Sequence, residues 1–272
     1  MKLFRQRVSG MAAIGLAIVG LNLLAALLGP VIAPHDQTEM IGDIWAAPSQ
    51  DAWLGLDNLG RDMLSRLLYG ARTTIAVALV TTSLSFAMGV TAGLVAAALG
   101  GWTDMALSRA VDALLSIPTL IFALVMLSVL GTSLLTLICT IAVLDSTRVF
   151  RVSRAVAMTI SAMEYVEVAR LRGEGIGWIM VRELLPGALP PLIAEFGLRF
   201  CFAFLFIAAL SFLGLGLQPP FADWGGMVRD NAQAINLGGI APLLPAAAIA
   251  LLTIGVNLVV DWLLSINAVR RA

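Results

Sequence analysis

Between Asp112 and Asp145 the chain carries no charged residue at all, and this run limits the available folds more than any other feature. A helix needs about 20 apolar residues to cross the hydrocarbon core of a bilayer, so the run is longer than one crossing requires. The composition agrees. The chain of 272 residues is 60% hydrophobic and 12% charged, where soluble domains are about 45–50% apolar and about 25% charged. Such a chain reads as an all-α polytopic membrane protein whose main partner is membrane lipid. Its net charge is zero and no basic patch stands out, so nucleic acid is excluded as a partner.

Apolar runs predict spans near 11–33, 72–99, 105–130, 133–152, 194–216 and 240–262. "LGTSLL" at 130–135 supplies a Gly-containing turn to divide the third from the fourth. Basic residues favour cytoplasmic loops. With six transmembrane helices and both termini cytoplasmic, only Arg61, Arg66, Arg72 and Arg229 lie outside, against the other thirteen Lys and Arg residues. Five spans would put either the N-terminus or the whole 148–199 cluster on the wrong side. Residues 34–71 and 217–239 are therefore expected outside and 153–193 inside. "MKLFRQRVSG" looks like the start of a signal peptide, but the apolar run after it is long enough to span, so an uncleaved first helix is expected. Trp53, Trp102, Trp178, Trp224 and Trp262 fall away from span centres, as interfacial aromatics do.

Chemistry is sparse. Cys139 and Cys201 sit in apolar runs and read as buried small hydrophobes. The lone histidine, His35, cannot build a His-based metal site and reads as interfacial. A P-loop needs a lysine on the phosphates, and the only lysine is Lys2. No nucleophile elbow or metalloprotease motif is present. No catalytic residue, metal site or cofactor is assigned to this chain.

The polar exception is "EYVEVARLRGEGIGWIMVRELLPGALPP", starting at Glu164. "EYVEVARLR" predicts a short helix stopped by Gly173 in the C′ position. "IGWIMVRELL" predicts a second, ended by Pro186. An amphipathic pair lying on the membrane surface and a knob docked into a cytoplasmic protein both fit.

This segment resembles the EAA loop of type I ABC importer permeases, whose pattern is E-A-A, three residues, G, then L-P. Glu167, Ala169, Gly173, Leu185 and Pro186 hold that register, with Val168 in the middle position. Three further stretches are similar to the dipeptide, oligopeptide and nickel permeases, specifically their C-type subunit: "WLGLDNLGRDMLSRLLYGAR" at 53–72, with Leu56 where Thr is usual, "DALLSIPTLIFAL" at 112–124, and "SFLGLGLQPPFADWGGMV" at 211–228. The C-terminal "LLSINAVRRA" lacks the family's D-P-R/K ending.

The resemblance, which covers nearly the whole chain, implies the transmembrane domain of a type I ABC importer in the bacterial inner membrane. It implies a second homologous permease, two ATPase subunits that bind ATP and Mg, and an external solute-binding protein as partners. The cargo would be peptides, nickel, metal chelates or related solutes. The coupling loop would be Tyr165, Glu167, Ala169, Arg170, Arg172, Gly173, Leu185 and Pro186. The residues facing the external partner would be Asn58, Arg61, Asp62, Asp223 and Trp224. Two regions follow: residues 1–71, a helix and external loop with an interfacial helix, and 72–272, the core with its coupling loop at 153–193.

Asp145 departs from the family, where aromatic or small residues are commoner. A carboxylate facing lipid is costly, so Asp145 is expected to face the interior, with Arg148 at i+3 as its partner. A structural ion pair and a polar lining for a solute path both fit. A self-sufficient ion-coupled secondary transporter is the alternative function, since that class also keeps ionisable groups in the membrane.

Overall fold

A computed structural model describes residues 10–269, with side chains to residue 265. The terminal charges Lys2, Arg5, Arg7, Arg270 and Arg271 lie outside the described residues. The described chain is helical, with no strand beyond two isolated bridges, Met40 to Arg61 and Leu56 to Asp62. The long helices are α1 (Gly10–Ile32), α2 (Met63–Leu99), α5 (Leu134–Ser161), α8 (Leu185–Phe212) and α10 (Leu243–Val269). The short ones are α3 (Gly101–Leu115), α4 (Thr119–Leu130), α6 (Glu164–Leu171), α7 (Ile176–Trp178) and α9 (Trp224–Asp230).

By length and composition four of the described helical stretches can cross a membrane, or five if α3 and α4 count as one bent span. The expected span 133–152 is helical, but α5 is not among these because Asp145, Arg148, Arg151 and Arg154 interrupt it. The expected span 105–130 is not straight: α3 and α4 meet at 84°. Pro118 is the cause, having no N–H to donate and disfavouring helical backbone at Ile117 before it. The divide from the next helix does fall in "LGTSLL", at Gly131, φ 87°. There Ser133 caps α5 by accepting from Thr136 N.

Two further expectations are corrected. One helix, α2, runs through residue 71 without a break. Asp62 accepts from the backbone N–H groups of Leu64 and Ser65 and starts α2 at Met63, and nothing interrupts that helix for 37 residues. Thus 53–72 contains a cap turn and the first turns of α2, not a separate interfacial helix. Nor does Pro186 stop the segment before it. Ile179–Leu184 winds as a π-helix that leads directly into α8. Pro186 then sits in the first turn of α8, where a missing N–H is tolerated. The expected span 194–216 is the second half of one run, Ile176–Phe212.

Small residues let α2 pack closely on α5. A Cβ on Gly89 would stand 2.7 Å from Ser146 O, and one on Gly93 would stand 2.8 Å from Arg154 N. These glycines are spaced G-x-x-x-G, the pattern that brings membrane helices into backbone contact. α1 and α10 meet similarly, with Gly15 against Leu258 and Gly255 against Ile18. The outer faces of α1 remain apolar and open, with Leu21, Leu27 and Val31 each at least 70% exposed, as lipid contact requires. Cys201 is buried as expected, but Cys139 is exposed because it faces away from the bundle on the first turns of α5.

Candidate functional site

Three polar regions are strung along the bundle. α2 is about 55 Å long at 1.5 Å per residue. It begins in a cap built from 33–62 and 213–242, and its last turns lie beside the α6 loop.

At the loop end, α6 turns its two faces to different surroundings. Val166 is buried in an apolar cluster with Leu94, Ile160, Ile179 and Leu184, and Ala169 is buried too. Tyr165, Val168 and Leu171 point outward and are exposed, Leu171 by 81%. This outward stripe is flanked by exposed Glu167, Arg170 and Arg172. Arg170 donates to Ser161 Oγ at 2.7 Å, and Arg172 pairs with Glu174 at 3.3 Å. The helix ends as a Schellman motif: Gly173 N donates to Arg170 O and Glu174 N to Ala169 O, with Gly173 left-handed at φ 79°. Leu185 is half-buried and Pro186 exposed at the start of α8, so the segment forms one compact knob.

At the middle of the bundle, Asp145 is buried, 5% exposed. Arg148, its expected partner, approaches only to 3.8 Å. Arg199 of α8 is nearer at 3.5 Å, and Ser85 of α2 donates at 3.4 Å. The positive-inside count placed Arg199 in the cytoplasm, yet it lies inside the bundle with its guanidinium 4.7 Å from the Phe202 ring. Its Nε is 2.8 Å from Glu195 Oε1, an ion pair without the alignment of a hydrogen bond. Glu195 and Arg199, i and i+4 within an apolar run, were the sequence signal for this cluster. A cavity of about 370 Å³ opens beside it between α4, α5 and α8.

In the cap, four of the five residues expected to face an external partner are buried: Arg61, Asp62, Asp223 and Trp224. Their side chains hold the cap together instead. Asp57, wholly buried, pairs with Arg61 at 2.8 Å and Arg66 at 3.2 Å. Asp223 caps α9 by accepting from Gly226 N at 3.0 Å. Burial pushes the Asp223 carboxyl above its ordinary pKa, opposed by that hydrogen bond. Trp224 donates from Nε1 to Leu67 O at 3.0 Å and fits over Gly70, where a Cβ would meet its ring at 2.8 Å. Asn58, part-buried, donates its N–H to Asn231 Oδ1 at 2.9 Å. His35 belongs to the same cap, with its N–H on Ser65 Oγ at 3.0 Å. No group of acidic, Cys or His side chains among the described residues is arranged to hold a metal ion.

Comparison with known proteins places these features in context. Residues 89–271 match the family model described as binding-protein-dependent transport system inner membrane component. A dipeptide transport system permease protein of Alkalihalophilus pseudofirmus is 33% identical over 254 residues, covering 93% of this chain and 84% of the relative. A di/tripeptide transport system permease protein of Pseudomonas aeruginosa is 34% identical over 258 residues, covering 92% and 84%. A glutathione transport system permease protein of Pectobacterium atrosepticum is 31% identical, covering 79% and 72%. The crystal structure of an amino acid ABC transporter with histidines matches with a TM-score of 0.54 at 19% identity, over 72% of this chain and 91% of that one. At that identity the likeness concerns the fold alone.

Proposed function

The chain belongs to the family of binding-protein-dependent transport system inner membrane components, as a multi-pass inner-membrane permease of the peptide ABC importers, and from that premise we propose that it forms half of a pathway for short peptides. A second homologous permease supplies the other half. Two ATPase subunits carrying ATP and Mg dock on the α6 knob, and a solute-binding protein delivers cargo to the cap. Peptides are favoured over nickel or metal chelates because the relatives are named for dipeptides, di/tripeptides and glutathione. An ion-coupled secondary transporter is not favoured by this kinship.

The observation that carries the docking reading is the outward stripe of α6. Tyr165, Val168 and Leu171 are exposed beside charged residues while the opposite face is packed, and an exposed apolar patch rimmed by charge suits a protein partner. We expect Glu167→Lys and Val168→Asp each to lower co-purification of the ATPase subunits at least ~10-fold without reducing the amount of permease in the membrane. Both side chains are exposed, so neither substitution disturbs the core. Unchanged recovery of ATPase per permease, with normal peptide uptake, would overturn the docking role.

The proposed topology has six crossings, both termini cytoplasmic and the cap outside, and the charge asymmetry of the loops supports it. Leu237 is 73% exposed in the cap. Leu237→Cys is expected to react with an impermeant thiol reagent added outside. Reaction only after the cytoplasmic side is opened would reverse the topology.

A further inference from the structure

We propose that the cavity between α4, α5 and α8 is a station in the path that reads the two free ends of a short peptide, with Asp145 receiving the α-ammonium and Arg148 the carboxylate. The proposal rests on the permease reading above and adds the substrate chemistry of this site.

The first argument is the loose pairing of Asp145, whose contacts are all long. A buried carboxylate normally receives charge-assisted hydrogen bonds of about 2.7–2.9 Å. The three polar side chains around Asp145 stand off instead, at 3.4 Å for Ser85, 3.5 Å for Arg199 and 3.8 Å for Arg148. The carboxylate is neutralised in charge yet retains capacity to accept short hydrogen bonds, which an ammonium with three N–H donors would use.

Arg148 supplies the second argument. Its side chain is 42% exposed, and Nη2 is held by Thr119 Oγ1 at 3.1 Å. That contact orients the guanidinium at the cavity while leaving other N–H groups for a carboxylate, the planar acceptor that Arg matches best. Arg199 is a different kind of cation. It is enclosed, its side chain 11% exposed between Glu195 and the Phe202 ring, and it stands beside Asp145 at 3.5 Å as a fixed counter-charge.

The third argument is the sign balance. Asp145 and Glu195 face Arg148 and Arg199, so the ionised cluster has no net charge. A purely anionic or cationic solute would gain from one half of it and be repelled by the other. A zwitterion satisfies both. The remaining wall is apolar, with Leu120, Ile141, Leu144 and Phe206, and accepts side chains without selecting among them. The volume of about 370 Å³ falls within the range of small-ligand pockets.

The test uses the assembled importer in nanodiscs without its binding protein. Saturation-transfer NMR is recorded with Ala-Ala, N-acetyl-Ala-Ala, Ala-Ala amide and free alanine. For the wild type, saturation of Ala-Ala is expected to exceed that of each blocked peptide and of alanine. Asp145→Asn is expected to weaken Ala-Ala binding ~10-fold, the effect of a lost hydrogen bond to a charged group, and to remove the preference for a free N-terminus. Arg148→Gln is expected to remove the preference for a free C-terminus. Because Arg148 is partly exposed, this variant keeps the test valid if Asp145→Asn assembles poorly.

Equal saturation by free and blocked peptides in the wild type, or the same preferences retained in Arg148→Gln, overturns the proposal. Alanine matching Ala-Ala overturns the peptide assignment, and absence of any signal overturns the site. Ala-Ala uptake by proteoliposomes containing the binding protein separates this from the wider reading. Uptake without the NMR signature rejects the station alone, whereas no wild-type uptake of any peptide rejects the peptide-importer function.

Discussion

Gly93→Leu is expected to leave almost no folded permease in the membrane. Even a methyl group at this position would stand 2.7 Å from Ser153 Cβ and 2.8 Å from Arg154 N. The second of these neighbours is backbone in the middle of α5, which cannot give way as the end of a side chain can. Four residues earlier, Gly89 meets Ser146 O at 2.7 Å, so the two helices have no room to slide past the insertion. In lipid, helices associate by close van der Waals packing and not by expulsion of water. Separating α2 from α5 therefore removes the main contact between them. It also withdraws Ser85 from Asp145. Overpacking of a rigid core typically costs about 1–3 kcal/mol, and a leucine wedged between two backbones belongs above that range. The measurement is the amount of monodisperse chain recovered from membranes, with Gly10→Leu as control because nothing lies within 4 Å of its Cβ position. Recovery of Gly93→Leu equal to the control would show that α2 and α5 do not meet here.

The second large effect is expected in the cap. Asp57→Ala would strip the counter-charge from two arginines at once, since Arg61 and Arg66 both pair with its carboxylate. Arg66 is only 4% exposed and cannot turn to water. Removing one partner of a buried ion pair costs about 3–5 kcal/mol, mostly through the charge left behind. Asp57 Oδ1 also accepts from Leu59 N at 2.8 Å and Arg61 N at 2.9 Å, so the turn between them loses its fastening too. The expected result is a cap that trypsin cleaves at Arg61 or Arg66 under conditions where the wild type resists, with a lower melting temperature. Asp57→Asn should fall between the two because it keeps the Oδ1 acceptor and loses the charge. Wild-type proteolysis and melting for Asp57→Ala would show that this ion-pair network does not hold the cap.

What the sequence reveals, and what it hides, follows from the range of the interactions. The stop at Gly173 was legible because a Schellman motif is local, fixed by residues within six positions. The division at Gly131 was legible for the same reason. The kink at Pro118 could have been read from the proline itself, but an unbroken apolar run masked it. The continuity through Pro186 was hidden, since the winding of a π-helix leaves no mark in hydropathy. The burial of the cap residues was hidden for a different reason. "DNLGRD" and "ADWGG" are polar enough to pass for surface loops, and their partners lie far away: Asn231 reaches back to Asn58, and Trp224 to Leu67. Arg199 was misplaced by counting charges loop by loop, which cannot distinguish a cation at a helix end from one turned into a bundle.

The continuous winding from Ile176 to Phe212 has a mechanical consequence. It makes the segment a rod about 55 Å long, with the knob beside its first turns and the cap at its far tip. Tilting such a rod about its knob end by about 5° swings the tip roughly 5 Å, so a small rotation imposed at the knob would become a displacement as large as a side chain at the cap. Asp145 and its neighbours lie beside the shaft well short of its tip, where the same tilt moves them less.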